Sequence, residues 1–245
     1  MAALRGGAGL VKLAVPASIA AVVAVQHPCY MVHALSLEHA AEQVSELAVK
    51  ADAIVCGPGM GTTPDVRQRV DQLLATEVPL VLDADALNVL GPWPGKGQTR
   101  RSATVWTPHP GEFSRLTGGS REDIQAARQR VAHEFALREK GVLVLKGAGT
   151  VVCDAERIFV NSTGNPGMAT GGTGDVLAGL LGALLAQGFE TFDAAVLAVY
   201  LHGLAGDIAA SRVGEVSLLA TDVLEALPEA IQRHQTGNPP AELRQ

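Results

Sequence analysis

Asn161-Ser162-Thr163-Gly164-Asn165-Pro166-Gly167-Met168-Ala169-Thr170-Gly171-Gly172-Thr173-Gly174-Asp175 runs straight into the apolar segment 176–186. Five glycines and four hydroxyl side chains thus precede the N-terminus of an expected helix over Asp175–Gln187, with Gly188 as its stop. Backbone N–H groups freed by glycine and the positive end of a helix dipole together make an anion site. Asp175 at the first turn has two readings. It can simply complement the dipole, or it can be the base that takes a proton from a hydroxyl attacking bound phosphate. No Gly-Lys-Ser/Thr follows the glycines, so the loop is not a P-loop of the Walker type.

Outward from this stretch, strand and helix patterns alternate. Upstream, Gly141–Lys146 is a buried strand, and Val151–Cys153 with Ile158–Val160 reads as a hairpin around 154–157. Further upstream, strands are expected at Ala53–Cys56, Pro79–Asp83 and Ala103–Thr107. Helices are expected at Leu37–Val49, at Thr63–Ala75 capped by Thr62 or Thr63, at Gly111–Thr117, and as one long helix Arg121–Lys140. Downstream, the pattern predicts helices over Phe192–Ala210 and Thr221–His234, then a frayed tail over 235–245. The first 35 residues read as a strand Gly9–Val15, a helix Ala17–Val25 opened by Pro16, and a strand Cys29–Ala34. A secretory leader is the competing reading of the apolar run from Leu13 to Val25, but Lys12 interrupts the run and another strand follows at once. The alternation specifies an α/β fold: a mainly parallel central sheet, helices on both faces and a short antiparallel hairpin extension. Residues 1–234 read as a single domain.

Composition narrows the function. With 19 basic against 25 acidic residues, the chain has no basic field for nucleic acid. No apolar stretch reaches the ~18 residues that span a bilayer, and Ala178–Ala186 is the richest candidate. The three cysteines are too widely spaced for a disulfide framework or a zinc site, and read as buried thiols in a reducing cytosol. The 27 glycines are the excess to explain. Ten fall in three loops after strands: Gly57–Gly61, Lys146–Thr150 and Gly164–Gly174.

In open α/β sheets the ligand crevice lies beyond the carboxyl ends of the strands, and four more candidate points sit there. Gly57-Pro58-Gly59-Met60-Gly61 is either a tight turn or a ligand cradle. Asp83 and Asp85 either hold Mg²⁺ through water or cap the turn that follows. His109 is stiffened between Pro108 and Pro110 and is placed for ligand contact, with Glu112 complementing a helix dipole. Lys146, Gly147, Ala148, Gly149 and Thr150 form either a phosphate or adenosine pocket or a solvated β-turn.

The Gly171–Asp175 run resembles the G-x-G-D signature of ribokinase-like kinases. Taken with Gly57–Gly61, Asp83–Asn88, Thr107–Glu112, Lys146–Thr150 and Asn165–Gly174 in this order, the chain resembles one branch, the ADP/ATP-dependent NAD(P)H-hydrate dehydratases. The motifs cover nearly the whole chain. The resemblance implies a ribokinase-like fold and a lyase driven by ADP or ATP with Mg²⁺. Asp175 would be the base and would contact the hydrated dinucleotide, with Gly59, Gly61 and His109 lining that pocket. Lys146, Gly147, Ala148, Gly149, Thr150, Asn165, Gly171, Gly172, Thr173 and Gly174 would bind the nucleotide. It also implies a cytoplasmic homotetramer. In one respect the chain departs from its relatives, which carry a further strand and a Gly-Ser loop ahead of the segment matching Met1–Val15. The alternatives are a small-molecule hydroxyl kinase of the same fold and a nucleotide-binding protein without turnover.

Overall fold

The structure, a computed structural model, describes residues 1–93 and 103–237. Four strands, β1 (Ile54–Cys56), β2 (Leu80–Leu82), β3 (Thr104–Trp106) and β4 (Val142–Leu145), run parallel and in that order. β5 (Val151–Cys153) and β6 (Ile158–Val160) add antiparallel at the β4 edge, which is the expected hairpin. A separate parallel pair, βA (Lys12–Pro16) and βB (Met31–Leu35), forms its own two-stranded sheet.

Strand side chains alternate between two faces, and each face has its own core. Val81, Val105, Val142, Val144 and Val152 face α8 (Thr173–Ala186), α9 (Thr191–Val213) and α10 (Ala220–Thr236). Leu80, Leu82, Trp106, Leu143, Leu145 and Val151 face the other side. There they meet α3 (Pro64–Leu74), α4 (Ala84–Leu90), α5 (Pro110–Thr117), α6 (Arg121–Ala126) and α7 (Arg128–Glu139). Near the N-terminus, a one-turn helix Ala2–Arg5 packs on α8, and α1 (Ala17–Ala24) and α2 (Ala40–Ala48) accompany the two-stranded sheet.

Several expectations need correction. The helix expected over Arg121–Lys140 is two helices, because Ala127 leaves helical geometry at φ −138°. The second ends on Lys140 in the left-handed region, since a Cβ on Gly141 would press on the Thr104 carbonyl. Asp83–Asn88 is not an extended turn: it opens α4, a seven-residue helix the periodicity was too short to reveal. Thr63 stands at the N-cap of α3 but its side chain makes no cap bond. The first strand begins at Lys12 rather than Gly9, and the helix α10 continues through Thr236, so the tail is not frayed at 235–236. The rest of that tail lies outside the described residues. Cys29 is exposed, whereas burial pushes the Cys56 and Cys153 thiols up to about 12. Finally, the 23-residue α9 is long and apolar enough to cross a membrane. Here it is a core helix wedged between the sheet, α8 and α10.

Candidate active site

All the polar loops singled out by sequence leave the carboxyl ends of β1 to β4 or lead into α8. A chain of charged groups links them. The Lys146 ammonium, at the end of β4, donates to Asp83 Oδ1 at 2.7 Å and lies 3.8 Å from Glu112 Oε2. Glu112 in turn stands 3.4 Å from His109 Nε2. Asp83 is fully enclosed at the end of β2, so Lys146 offsets a carboxylate that would otherwise be buried unpaired. A Cβ on Gly174 would sit 3.1 Å from Lys146 Nζ and 3.6 Å from Asp83 Oδ2. The first turn of α8 therefore closes directly over this pair, and only glycine fits there.

The glycine loop after β1 joins the same cluster. Gly57 takes φ +128°, and a Cβ there would run into the Asp83 carbonyl. Gly61 N donates to Asp85 Oδ2 at 2.8 Å, which sets the loop's far end. The cap reading of the two aspartates is thus corrected: Asp83 occupies the N-cap of α4 without a side-chain cap bond, because Lys146 takes its carboxylate.

His109 has a structural duty that its sequence spacing could have shown. It is the N-cap of α5, its Nδ1 accepting from Gly111 N and Glu112 N at 2.9 and 3.2 Å. Glu112 accepts from His109 N at 2.8 Å, so His109-Pro110-Gly111-Glu112 is a capping box with histidine in the serine place. The ring is half exposed, leaving Nε2 open to the crevice. Desolvation holds its pKa below the ordinary histidine value, Glu112 opposes that, and Lys146, Arg115 and Arg121 reinforce it.

Asp175 is exposed in the first turn of α8. Desolvation raises its carboxyl above the ordinary range, and the charges of Asp83 and Asp85 push the same way, against Lys146. Beside it Gly171 and Gly172 are exposed, and Gly172 holds φ +90° as the N-cap. Thr173 is buried; its hydroxyl donates to the Met168 and Thr170 carbonyls and locks the turn. The Asn165 side chain is already engaged, accepting from Gly167 N and donating to Asp207. In the Lys146–Thr150 loop, Gly147 and Gly149 have positive φ, Gly147 to Gly149 are exposed, and Thr150 donates to the Gly147 carbonyl. Asn161 N donates to the Thr150 carbonyl, so this loop lies against the start of the long glycine loop.

The structure therefore brings Asp175, Gly174, Lys146, His109 and the Gly57–Gly61 loop into one crevice, with Asp83, Asp85 and Glu112 beneath it. Such an arrangement offers backbone donors for phosphate, a cation to balance its charge and a carboxylate with raised proton affinity. Sequence reasoning missed the Lys146–Asp83 pair, which spans 63 positions along the chain.

Comparison with known proteins agrees. The family model for NAD(P)H-hydrate dehydratase matches residues 1–229. A bifunctional NAD(P)H-hydrate repair enzyme of Coxiella burnetii is 40% identical over 92% of this chain, which spans about 45% of that relative's length. A Bacillus subtilis ADP/ATP-dependent NAD(P)H-hydrate dehydratase, co-crystallised with ATP and Mg²⁺, superposes with TM-score 0.82 at 30% identity. The match covers 95% of this chain and 84% of that one. A ribokinase-like superfamily protein from Enterococcus faecalis gives TM-score 0.81 at 32% identity, over 95% and 80% of the two chains. On this match, and with its crevice at the strand ends, the chain belongs to the NAD(P)H-hydrate dehydratase family on a ribokinase-like α/β fold.

Proposed function

We propose that this chain, as one domain over residues 1–234, dehydrates hydrated NADH or NADPH at the expense of ADP or ATP. The observation that carries the reading is Asp175 on the first turn of α8, its carboxyl raised, next to exposed backbone donors and above the Lys146–Asp83 pair. Asp175 takes the proton from the ring hydroxyl. The freed oxygen attacks the terminal phosphoryl group, and the bond from that phosphorus to the nucleotide breaks. The ring nitrogen lone pair then expels phosphate, and loss of a ring proton restores the dihydronicotinamide. Gly171, Gly172, Thr173 and Gly174 offer backbone donors to the transferring group. Lys146, Gly147, Ala148, Gly149, Thr150 and Asn165 flank the nucleotide, while Gly59, Gly61 and His109 line the dinucleotide side.

Among the described residues no group of three or more His, Cys, Asp and Glu side chains could cage a metal. That donor set still fits Mg²⁺, which is held mainly by nucleotide phosphates and water with one or two carboxylates. Asp85 and Asp175, close enough for one to raise the other's pKa, would supply them. Mg²⁺ supplies charge neutralisation on the phosphates when bound. We place the chain in the cytoplasm as a homo-oligomer, a tetramer by its resemblance, which sedimentation would measure.

The test is to mix purified chain with hydrated NADH and ADP or ATP and follow the reduced-nicotinamide absorbance. Recovery of absorbance with release of phosphate is expected. No recovery, together with a stable phosphoester formed on a small alcohol, would mean a hydroxyl kinase instead.

A further inference from the structure

Helix α9 is a core helix, yet one side of it is interrupted by His202, Gly203, Gly206 and Asp207. An apolar side chain at each position would serve the core better. All four instead meet the loop that leads into α8. Asp207 uses both oxygens there, Oδ2 accepting from Gly164 N and Oδ1 from Asn165 Nδ2, each at 2.9 Å. Asn165 Oδ1 passes the constraint on, accepting from Gly167 N at 3.1 Å. His202 Nε2 lies 2.9 Å from the Thr173 carbonyl, in the first turn of α8. A carbonyl can only accept, so the ring nitrogen facing it carries the hydrogen. The glycines let the loop come down onto the helix: a Cβ on Gly203 would strike Thr163, and one on Gly206 would strike Met168. Above Gly203, Asn161 Nδ2 and Thr163 Oγ1 donate to the Val199 and Tyr200 carbonyls at 3.2 and 2.9 Å.

We propose that this side of α9 is the template for the phosphate loop, and that His202 and Asp207 are positioning residues that fix its two ends. The inference rests on the reading of Gly164–Gly174 as the nucleotide phosphate site. Neither residue is placed to touch the reacting atoms. Asp207 sets where the loop begins, through Gly164 and Asn165. His202 sets where it ends, at the residue between Gly172 and Gly174. Burial, with Lys146 adding to it, drives the His202 pKa down to about 4, so the ring is neutral at working pH. It therefore presents one donor and adds no charge beneath the loop.

The experiment compares two amides at position 202. In His202→Gln the amide nitrogen reaches about as far as Nε2 and can still donate to Thr173. In His202→Asn it stops short, at the distance of Nδ1. Both are polar and burial costs them alike, so a difference between them reads the bond. Asp207→Asn keeps the shape and turns one acceptor into a donor. ADP affinity is measured by calorimetry on the full chain, alongside the KM values for ADP and for hydrated NADH and the thermal midpoint. His202→Asn and Asp207→Asn are expected to weaken ADP about tenfold in Kd and KM, the worth of one lost bond. Their KM for hydrated NADH should move by less than about threefold, and His202→Gln should regain most of the ADP affinity. Equal ADP affinity in the Gln and Asn variants, or a loss shared equally by both substrates, would overturn the proposal. If the unaltered chain binds ADP but does not repair hydrated NADH, the functional reading fails while the calorimetric comparison still decides the template.

Discussion

The two sheets of this molecule are made from equally apolar sequence and buried to very different depths. In β2, β3, β4 and β5 every residue is buried. In the pair βA and βB only Leu35 is buried, and α1, Ala17-Ser18-Ile19-Ala20-Ala21-Val22-Val23-Ala24, has no buried residue at all. Seven of the fifteen exposed large hydrophobics fall between Leu10 and Val49. Apolar composition alone does not make a core. What separates the regions is cover on both faces: the large sheet has helices on each side, whereas α1 turns uncharged side chains outward. The charged groups of the crevice are anchored at the ends of the well-covered strands, where a fixed background can hold an aspartate above its ordinary pKa.

The sharpest test of that anchoring is Asp175→Asn. We expect turnover to fall by about 10³-fold, within the usual range for a general base, while nucleotide binding stays within a few fold. Equal loss of both would make Asp175 a structural cap. Next is Lys146→Met, which strands Asp83 at the end of β2. Removing one partner of a buried pair costs about 3 kcal/mol, so a large drop in thermal midpoint is expected. Asp83→Asn added to it should recover part of the loss. A midpoint unchanged by Lys146→Met would mean that Asp83 does not depend on its partner.

The pH profile probes the same background. Because the Asp175 pKa is raised in the fold, the acid limb of activity should lie above the ordinary carboxylate value, with the base form lost as pH falls through it. For stability the sign is opposite. A carboxyl raised in the fold favours the native state while protonated, and that contribution is lost as pH rises through the folded pKa. Asp85→Asn removes one repulsive charge and should move the acid limb of kcat/KM to lower pH by a fraction of a unit. A limb that stays put would show that desolvation alone holds Asp175 up.

Much of the well-covered region was legible in sequence. The β4 strand, the hairpin at Val151–Val160 and the glycine run ending at Asp175 each combine a strong local pattern with clear punctuation. Single-residue conformations were not legible: Ala127 breaks a helix that its neighbours would continue, and α4 is only seven residues long. Pairings across the fold were also hidden, since Lys146 and Asp83 share no local signal. Two signals were present and went unused. The His109-x-x-Glu112 spacing is that of a capping box, and His202 with Asp207 interrupts an otherwise apolar helix.

The smallest expected effect tests the other side of the comparison. Val22 is 62% exposed on α1, so Val22→Ser should change unfolding free energy by no more than about 0.5 kcal/mol, the usual range for a surface substitution. Leu181→Ala, in the core beneath the large sheet at 1% exposure, should cost about 3 kcal/mol. Amide hydrogen exchange should follow the same order, faster in βA and βB than in β2 to β4. The informative failure is a Val22→Ser cost near that of Leu181→Ala. Serine keeps helix propensity close to that of valine, so such a cost could arise only from lost apolar burial. The face of α1 would then be covered in solution, and a dependence of the midpoint on protein concentration would identify a second copy of the chain as the cover.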